Sequence, residues 1–172
     1  MTHGLYYHLS KAWRSPDAET QRKRMVEWRA SDAIVKVDKP LKLHKARMLG
    51  YKAKKGIIVV RVKLLRGGRK RPRPKKGRRS KRMSVRKTLQ MNYRGVAEQR
   101  AARKYKNMEV INSYFVGKDG IYYFFEVILA DRDSPDLKND RQLSYLSKSP
   151  RGKAFRGTTS AGTRSRGLRN IK

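Results

Sequence analysis

The side chains best suited to chemistry in this chain are its arginines and lysines, and the chemistry they offer is phosphate binding. Residues 66–82 read RGGRKRPRPKKGRRSKR, in which eleven of seventeen residues are Arg or Lys and none is acidic. A guanidinium can bind a phosphate through two parallel hydrogen bonds, and a lysine ammonium acts as a mobile point charge. Because like charges repel and Gly and Pro are interleaved, we expect an extended arm that becomes ordered on a polyanion.

Candidate phosphate ligands fall into three groups along the chain. The arm contributes Arg69, Lys70, Arg71, Arg73, Lys75, Lys76, Arg78, Arg79, Lys81 and Arg82. A second patch before a predicted strand contains Lys52, Lys54 and Lys55, and the C-terminal tail contributes Arg156, Arg164 and Arg166. If ten or more phosphates are neutralised, affinity should fall steeply with salt, by about 0.7 to 0.9 log units per phosphate per log unit of salt.

Catalytic and metal-binding patterns are weak by comparison. The histidines His3, His8 and His44 lack metal-ligand spacing, and the chain has no cysteine. Asp131 and Asp133 could hold a metal in a nuclease, which we keep as an alternative, but Asp-x-Asp at a strand end is more often a turn. We therefore expect a protein that is not an enzyme, with no catalytic residue, no metal and no cofactor.

The distribution of charge separates a core from its basic flanks. The 172 residues carry a net charge of +33, and only 37% are hydrophobic, so the core must be small. No acidic residue lies between Asp38 and Glu98, whereas residues 98–140 contain eight acids and seven bases. The apolar runs are far shorter than the roughly 20 residues of a membrane span, and the N-terminus shows no secretory pattern, so we expect a soluble intracellular protein.

Hydrophobic periodicity predicts an α+β fold, a small, mostly antiparallel sheet with packed helices. Helices are predicted over 5–13, over 41–49 ending at Gly50, and over 95–105. Another helix is predicted to start after a Ser15 cap, with Pro16 at its first position, and to run through Trp28 or as far as Val37. Strands are predicted over 57–64, 110–116 and 121–129, with an Asp-Gly hairpin turn at 117–120. Met25, Val26 and Trp28 are expected to pack on the core.

This pattern divides the chain into three parts. Residues 1–40 form an N-terminal helical segment, 41–147 an α+β core with the extended arm at 65–92, and 148–172 a basic tail rich in Gly, Ser and Arg. The strand over 57–64 is expected to have one buried and one cationic face, with the arm leaving the sheet edge. The tail, like the arm, is not expected to be structured by itself.

RNA fits these features better than DNA. The sequence contains no homeodomain, zinc-finger or basic-zipper pattern. Irregular basic arms suit crevices between folded RNA helices, where phosphates converge and shape is read through backbone and sugar contacts. Five glycines, Gly50, Gly67, Gly68, Gly157 and Gly162, are expected to allow close approach of the backbone to RNA.

Several colinear motifs closely resemble those of one family. They are GLYYHLSKAW at 4–13, KARMLGYKAKKG at 45–56, RKR at 69–71, VAEQRA at 96–101, VINSY at 110–114, FEVIL at 125–129, FRGTTSAG at 155–162 and SRGL at 165–168. In this order, over nearly the whole chain, they resemble the L15e family of large-subunit ribosomal proteins of archaea and eukaryotes.

The resemblance implies a non-enzymatic structural protein of the large ribosomal subunit, with an α+β core and extensions threading between rRNA helices. Its partners would be large-subunit rRNA and neighbouring ribosomal proteins, with no membrane and no small-molecule substrate, and its location the cytoplasmic ribosome. The alternative is a chromatin-type protein that binds and compacts DNA.

Overall fold

A four-stranded antiparallel sheet forms the centre of the computed structural model, which describes residues 3–68, 75–77 and 87–168. The helices are α1 (Leu5–Arg14), α2 (Ala18–Ala30), α3 (Leu43–Met48), α4 (Tyr93–Lys104), α5 (Pro135–Lys138), α6 (Tyr145–Lys148) and α7 (Ser160–Ser165). The strands are β1 (Ile34–Val37), β2 (Ile57–Leu65), β3 (Met108–Lys118) and β4 (Tyr122–Asp131). They lie in the order β1-β2-β4-β3, and each neighbouring pair is antiparallel. The predicted α+β class is therefore confirmed.

Strand β2 is buried on both faces. The face toward α4 is apolar as predicted and carries Val60, Val62 and Leu64. On the opposite face Val59 is also buried, and the guanidinium of Arg61 lies 5.0 Å from the ring centre of Trp28 in α2. Arg61 and Lys63 thus lie on the opposite face as predicted, but this face is not an open cationic surface, because α2 and the residues that follow it pack over both side chains.

Residues 34–37 form a strand where the sequence analysis allowed the second helix to continue. β1 pairs with β2, from Ile34 opposite Val62 to Val37 opposite Val59. Branched residues favour strands because their χ1 rotamers are restricted in helices, and α2 has already ended at Ala30. Because β1 flanks β2, the arm follows an interior strand, and the prediction that it leaves the sheet edge is wrong.

The start of α2 also differs from the prediction. Asp17, and not Ser15, is the cap, since its carboxylate accepts the Thr20 N–H at 2.8 Å and hydrogen bonds from Thr20 lower the pKa of Asp17. Pro16 therefore precedes the cap. On the core side Trp28 is 2% exposed as expected, but Val26 is 54% exposed and does not pack there.

The β3-β4 hairpin is confirmed, with a tighter turn than predicted. β3 runs further than expected, so that Gly117 and Lys118 still pair across the ladder, whereas β4 begins one residue later and ends two residues later than predicted. The turn occupies residues 119–121, where the Asp119 carboxylate accepts the Ile121 N–H at 2.7 Å. An Asp side chain that binds the following backbone is the usual chemistry of such turns.

Helices α3 and α4 match their predicted positions closely. Gly50 follows α3 with a positive φ of +98°, a backbone conformation that glycine adopts without strain. Helix α4 begins two residues before its prediction because Asn92 caps it, accepting the Gly95 N–H at 2.7 Å.

The tail is ordered against the core through Leu168. It contains α7 and buries Ala154, Thr159 and Ala161. The sequence pattern did not indicate this packing, because the tail's few apolar residues have no periodicity. In the described ranges, no helix is long and apolar enough to span a bilayer.

Candidate nucleic-acid interface

The arm is held at its first residues by the sheet and α4. The Gly67 N–H donates a 2.7 Å hydrogen bond to the hydroxyl of Tyr93, the first residue of α4. The Arg66 guanidinium donates to the Asp119 carbonyl at 2.6 Å and lies 5.1 Å from the Tyr123 ring centre. The chain therefore leaves β2 in a defined direction.

The two ends of the arm meet at Gly68 and Lys87. A Cβ placed on Gly68 would lie only 1.9 Å from the Lys87 carbonyl oxygen, so no larger residue fits there without moving the backbone. Residues 68 and 87 thus close the arm into a loop whose two ends both lie near the start of α4. Such closure restricts the directions in which the basic segment can extend.

Most of the predicted arm ligands fall outside the described residues. Those outside are Arg69, Lys70, Arg71, Arg73, Arg78, Arg79, Lys81 and Arg82. Lys75 and Lys76 are described and exposed, in a turn where Lys76 has φ +57° and Gly77 φ +69°. Their binding to phosphate remains a prediction.

The second predicted patch is partly neutralised within the chain. Lys52 and Lys54 each lie 2.8 Å from the carboxylate of Asp140, whose side chain is 3% exposed. Hydrogen bonds from the two lysines hold the pKa of Asp140 well below its usual range. Lys55 is exposed beside them. A phosphate would compete with Asp140 for Lys52 and Lys54, and their role in RNA binding remains a prediction.

The three tail arginines are exposed, and two of them lie together. The Arg156 guanidinium donates to the Pro150 carbonyl at 2.6 Å and to the Arg151 carbonyl at 3.0 Å. Arg166 approaches the Arg156 carbonyl at 3.4 Å, and Arg164 lies on α7. These bonds use main-chain oxygens, so the positive charges are not neutralised by them.

Backbone conformation or close contacts within the chain explain why glycine occupies each of the five predicted positions. Gly50 has positive φ and lies against Ile111, with a Cβ there 3.1 Å from its Cγ2. Gly67 has φ +88° and Gly68 meets Lys87. Gly157 has φ +67°, and a Cβ on Gly162 would lie 2.6 Å from the Gly157 backbone. Close approach to RNA at these positions remains a prediction.

Two buried glutamates hold the tail in place. Glu98 of α4 accepts hydrogen bonds of 2.5 Å from Ser113 in β3 and from Thr159, the cap of α7. Glu109 accepts the N–H groups of Gly152 and Lys153 at 2.9 and 2.8 Å. Charge-assisted bonds of this kind are among the stronger ones in proteins. They fix the basic tail to α4 and to β3.

A cationic groove that the sequence analysis missed lies between α1, α3, β3, the start of α4 and α7. Its volume is about 550 Å³, and its lining residues include no carboxylate. The cations in the lining are Arg14, Lys42, Lys45 and Arg94. These residues are distant in sequence, and the only available signal was the absence of acids between residues 38 and 98.

Charges in this groove are close enough to affect one another. Burial lowers the pKa of Lys42, with Lys45 adding to the effect and Glu126 opposing it. Burial, and after it the charges of Lys42 and Lys45, lowers the pKa of His44, which favours the neutral form of this imidazole. The groove is therefore positively charged, and a bound anion would stabilise the charged form of its cations.

The alternative of a metal-dependent nuclease finds no support in the geometry. The Asp131 carboxylate accepts the Asp133 N–H at 3.1 Å, which makes the pair the predicted turn, and Asp133 lies 3.5 Å from Arg151. Across residues 3–68, 75–77 and 87–168, no three His, Cys, Asp or Glu side chains are grouped to hold a metal.

The whole length of the chain can be compared with known families. A family model described as Ribosomal L15 matches residues 4–172, which includes the core, the arm and the tail. The resemblance noted from the sequence motifs is confirmed.

Proposed function

The chain belongs to the ribosomal L15e family, and from this premise we propose that it binds and stabilises large-subunit rRNA through its basic arm and tail. Membership implies a structural role in the large ribosomal subunit, and the family is not enzymatic. The finer proposal concerns which parts of the chain bind the RNA and how the core positions them.

One observation carries the proposal: the start of α4 holds both basic extensions. Tyr93 binds Gly67 at the base of the arm. The neighbouring Asn92 donates from its side-chain amide to the Ala161 carbonyl at 2.9 Å and from its backbone to the Ser165 hydroxyl at 3.0 Å. Two segments of high positive charge are thus attached to adjacent residues, so a single RNA surface can engage both.

The physical advantage lies in the cost of ordering the extensions. A basic segment that folds on RNA loses conformational entropy at that moment, and anchoring its ends beforehand lowers that loss. The positive charge of the arm, which no acidic residue offsets, then contributes to the binding free energy through release of counterions from the RNA. We further propose that neighbouring ribosomal proteins contact the near-neutral core and that the protein acts in cytoplasmic ribosomes.

Sedimentation of a cell extract that contains the tagged chain tests this function. We expect the chain to migrate with large subunits, to stay there after treatment with DNase, and to leave that fraction after treatment with RNase. A chromatin-type DNA-binding protein, the alternative, would instead be released by DNase. Release by DNase would therefore overturn the proposal.

A further inference from the structure

The cationic groove contains aromatic rings as well as charge. Its volume of about 550 Å³ lies within the range of about 300 to 1,000 Å³ typical of small-ligand sites. Trp13 and Phe115 belong to its lining, along with the four cations named above. Phe115 is 40% exposed, so its ring is accessible from the groove.

The ammonium of Lys42 lies close to both of these rings. Its ammonium is 4.9 Å from the ring centre of Trp13 and 5.6 Å from that of Phe115, and it donates to the Phe115 carbonyl at 3.0 Å. Burial lowers its pKa, which means that the charged ammonium is held there at a cost. An anion that entered the groove would offset this cost, and the flexible lysine stem can follow it.

The combination of rings and cations selects among anionic ligands. An acidic peptide would satisfy the cations but has no flat group to place against Trp13 and Phe115. A nucleotide supplies both, because its phosphate suits Arg and Lys and its base stacks on aromatic side chains once it leaves the RNA helix. Bases within a duplex are already stacked on each other and would not enter.

We propose that this groove binds one unstacked nucleotide of RNA, with its phosphate on Arg14, Lys42 and Lys45 and its base against Trp13 and Phe115. The proposal rests on the proposed function, since it assumes an RNA partner. It adds a discrete nucleotide site, separate from the arm, that recognises single-stranded RNA.

The intrinsic fluorescence of Trp13 tests the site directly. In a full-length Trp28→Phe variant Trp13 is the only tryptophan, and stacking of a base should quench it. The probes are a single-stranded RNA pentamer of adenosines and an RNA duplex of equal charge, at about 0.3 M salt to weaken binding by charge alone. We expect the pentamer to quench the emission at least twofold more than the duplex does.

A matched pair of aromatic variants in the otherwise natural chain supplies a second readout. Phe115→Leu should weaken pentamer binding by about 5- to 100-fold, the effect expected for one stacked base. Tyr145→Leu is the control, since Tyr145 is 45% exposed and lies outside both the lining of the groove and the tail; it should leave the affinity within twofold. Both variants remove a ring at an exposed position, so their folds should be retained.

The outcomes separate this inference from the proposed function. If the chain binds large-subunit rRNA but Phe115→Leu equals Tyr145→Leu and the pentamer quenches no more than the duplex, the nucleotide site is wrong and the proposed function stands. If the chain fails to bind large-subunit rRNA at all, both are wrong.

Discussion

The hydroxyl of Thr159 donates a 2.5 Å hydrogen bond to the carboxylate of Glu98, which is 61 residues away in the sequence. Both residues are 1% exposed. The bond joins the tail to α4, the same helix whose first residue binds the base of the arm. The core thus holds two basic segments, and the attachment of both should depend on the stability of α4 and of its contacts.

Replacing Thr159 by Val should destabilise the chain by about 1 to 3 kcal/mol, because the buried Glu98 carboxylate loses a donor that nothing replaces. Urea denaturation followed by the fluorescence of the buried Trp28 measures this change. Thr158→Val is the control, since Thr158 is exposed, and it should change the free energy of unfolding by less than about 0.5 kcal/mol. Equal effects of the two variants would contradict the role of Glu98.

Gly162→Ala should also loosen the tail. The added Cβ would lie 2.6 Å from the Gly157 backbone, and overpacking of this kind costs about 1 to 3 kcal/mol. Limited trypsin digestion should cut the variant after Arg156 or Arg164 sooner than the natural chain. Gly120→Ala is the matched control, because a Cβ there meets no atom within 4 Å, and its digestion should match that of the natural chain.

Tyr93→Phe removes the hydroxyl that binds Gly67 while it keeps the ring. Hydrogen exchange at the Gly67 amide should become at least several-fold faster, whereas amides of β2 should keep their protection. Tyr7→Phe, at an exposed position of α1, serves as the control and should leave Gly67 unchanged. Unaltered exchange in Tyr93→Phe would mean that the arm is not held by this contact.

Asp140 should make stability depend on pH in the acidic range. Its pKa in the folded chain lies well below its ordinary value, so the ionised carboxylate contributes stability that is fully present above the unfolded pKa of about 3.9 and is lost gradually as pH falls from there through the lower folded pKa. Asp140→Asn should therefore unfold at lower urea than the natural chain at pH 7, and the difference should shrink below about pH 4. Asp133→Asn, at a side chain 69% exposed, should show little difference at either pH. A gap for Asp140→Asn that is as large at pH 2 as at pH 7 would contradict this assignment.

Removal of arm cations should reduce the salt dependence of rRNA binding. Changing Arg69, Lys70, Arg71 and Arg73 to Gln should lower the slope of log affinity against log salt by up to about 3. The control changes four exposed lysines of the core, namely Lys104, Lys106, Lys118 and Lys138. It removes the same charge and should lower the slope by less than about 1. Similar reductions in both variants would indicate binding by net charge alone.

Local patterns in the sequence predicted most of the sheet and the first helix. The Asp119-Gly120 turn, the β-branched run of β2 and the glycine after α3 each depend on residues that are neighbours in sequence. β1 was missed because four residues are too few to show a clear period and become a strand only by pairing with β2. The packing of α2 over Arg61 was also missed, because it too depends on residues that are far apart in the sequence.

The candidate interface was predictable only in part. The basic arm and tail are evident from the composition of the sequence, and the family resemblance identified RNA as the partner. Two features depend on residues far apart in sequence: the partnering of Lys52 and Lys54 with Asp140, and the convergence of Arg14, Lys42, Lys45 and Arg94 on one groove. No periodicity can reveal them, since they arise from how the helices pack on the sheet.

Ultraviolet cross-linking of intact large subunits, followed by mass spectrometry of the chain's peptides, tests the central claim most directly. If the core aims the arm and the tail at rRNA, peptides from residues 69–82 and 155–166 should carry cross-linked nucleotides. Exposed peptides of the near-neutral core around Lys138 should carry far fewer. Nucleotides on the core peptides with none on the arm or the tail would contradict the account.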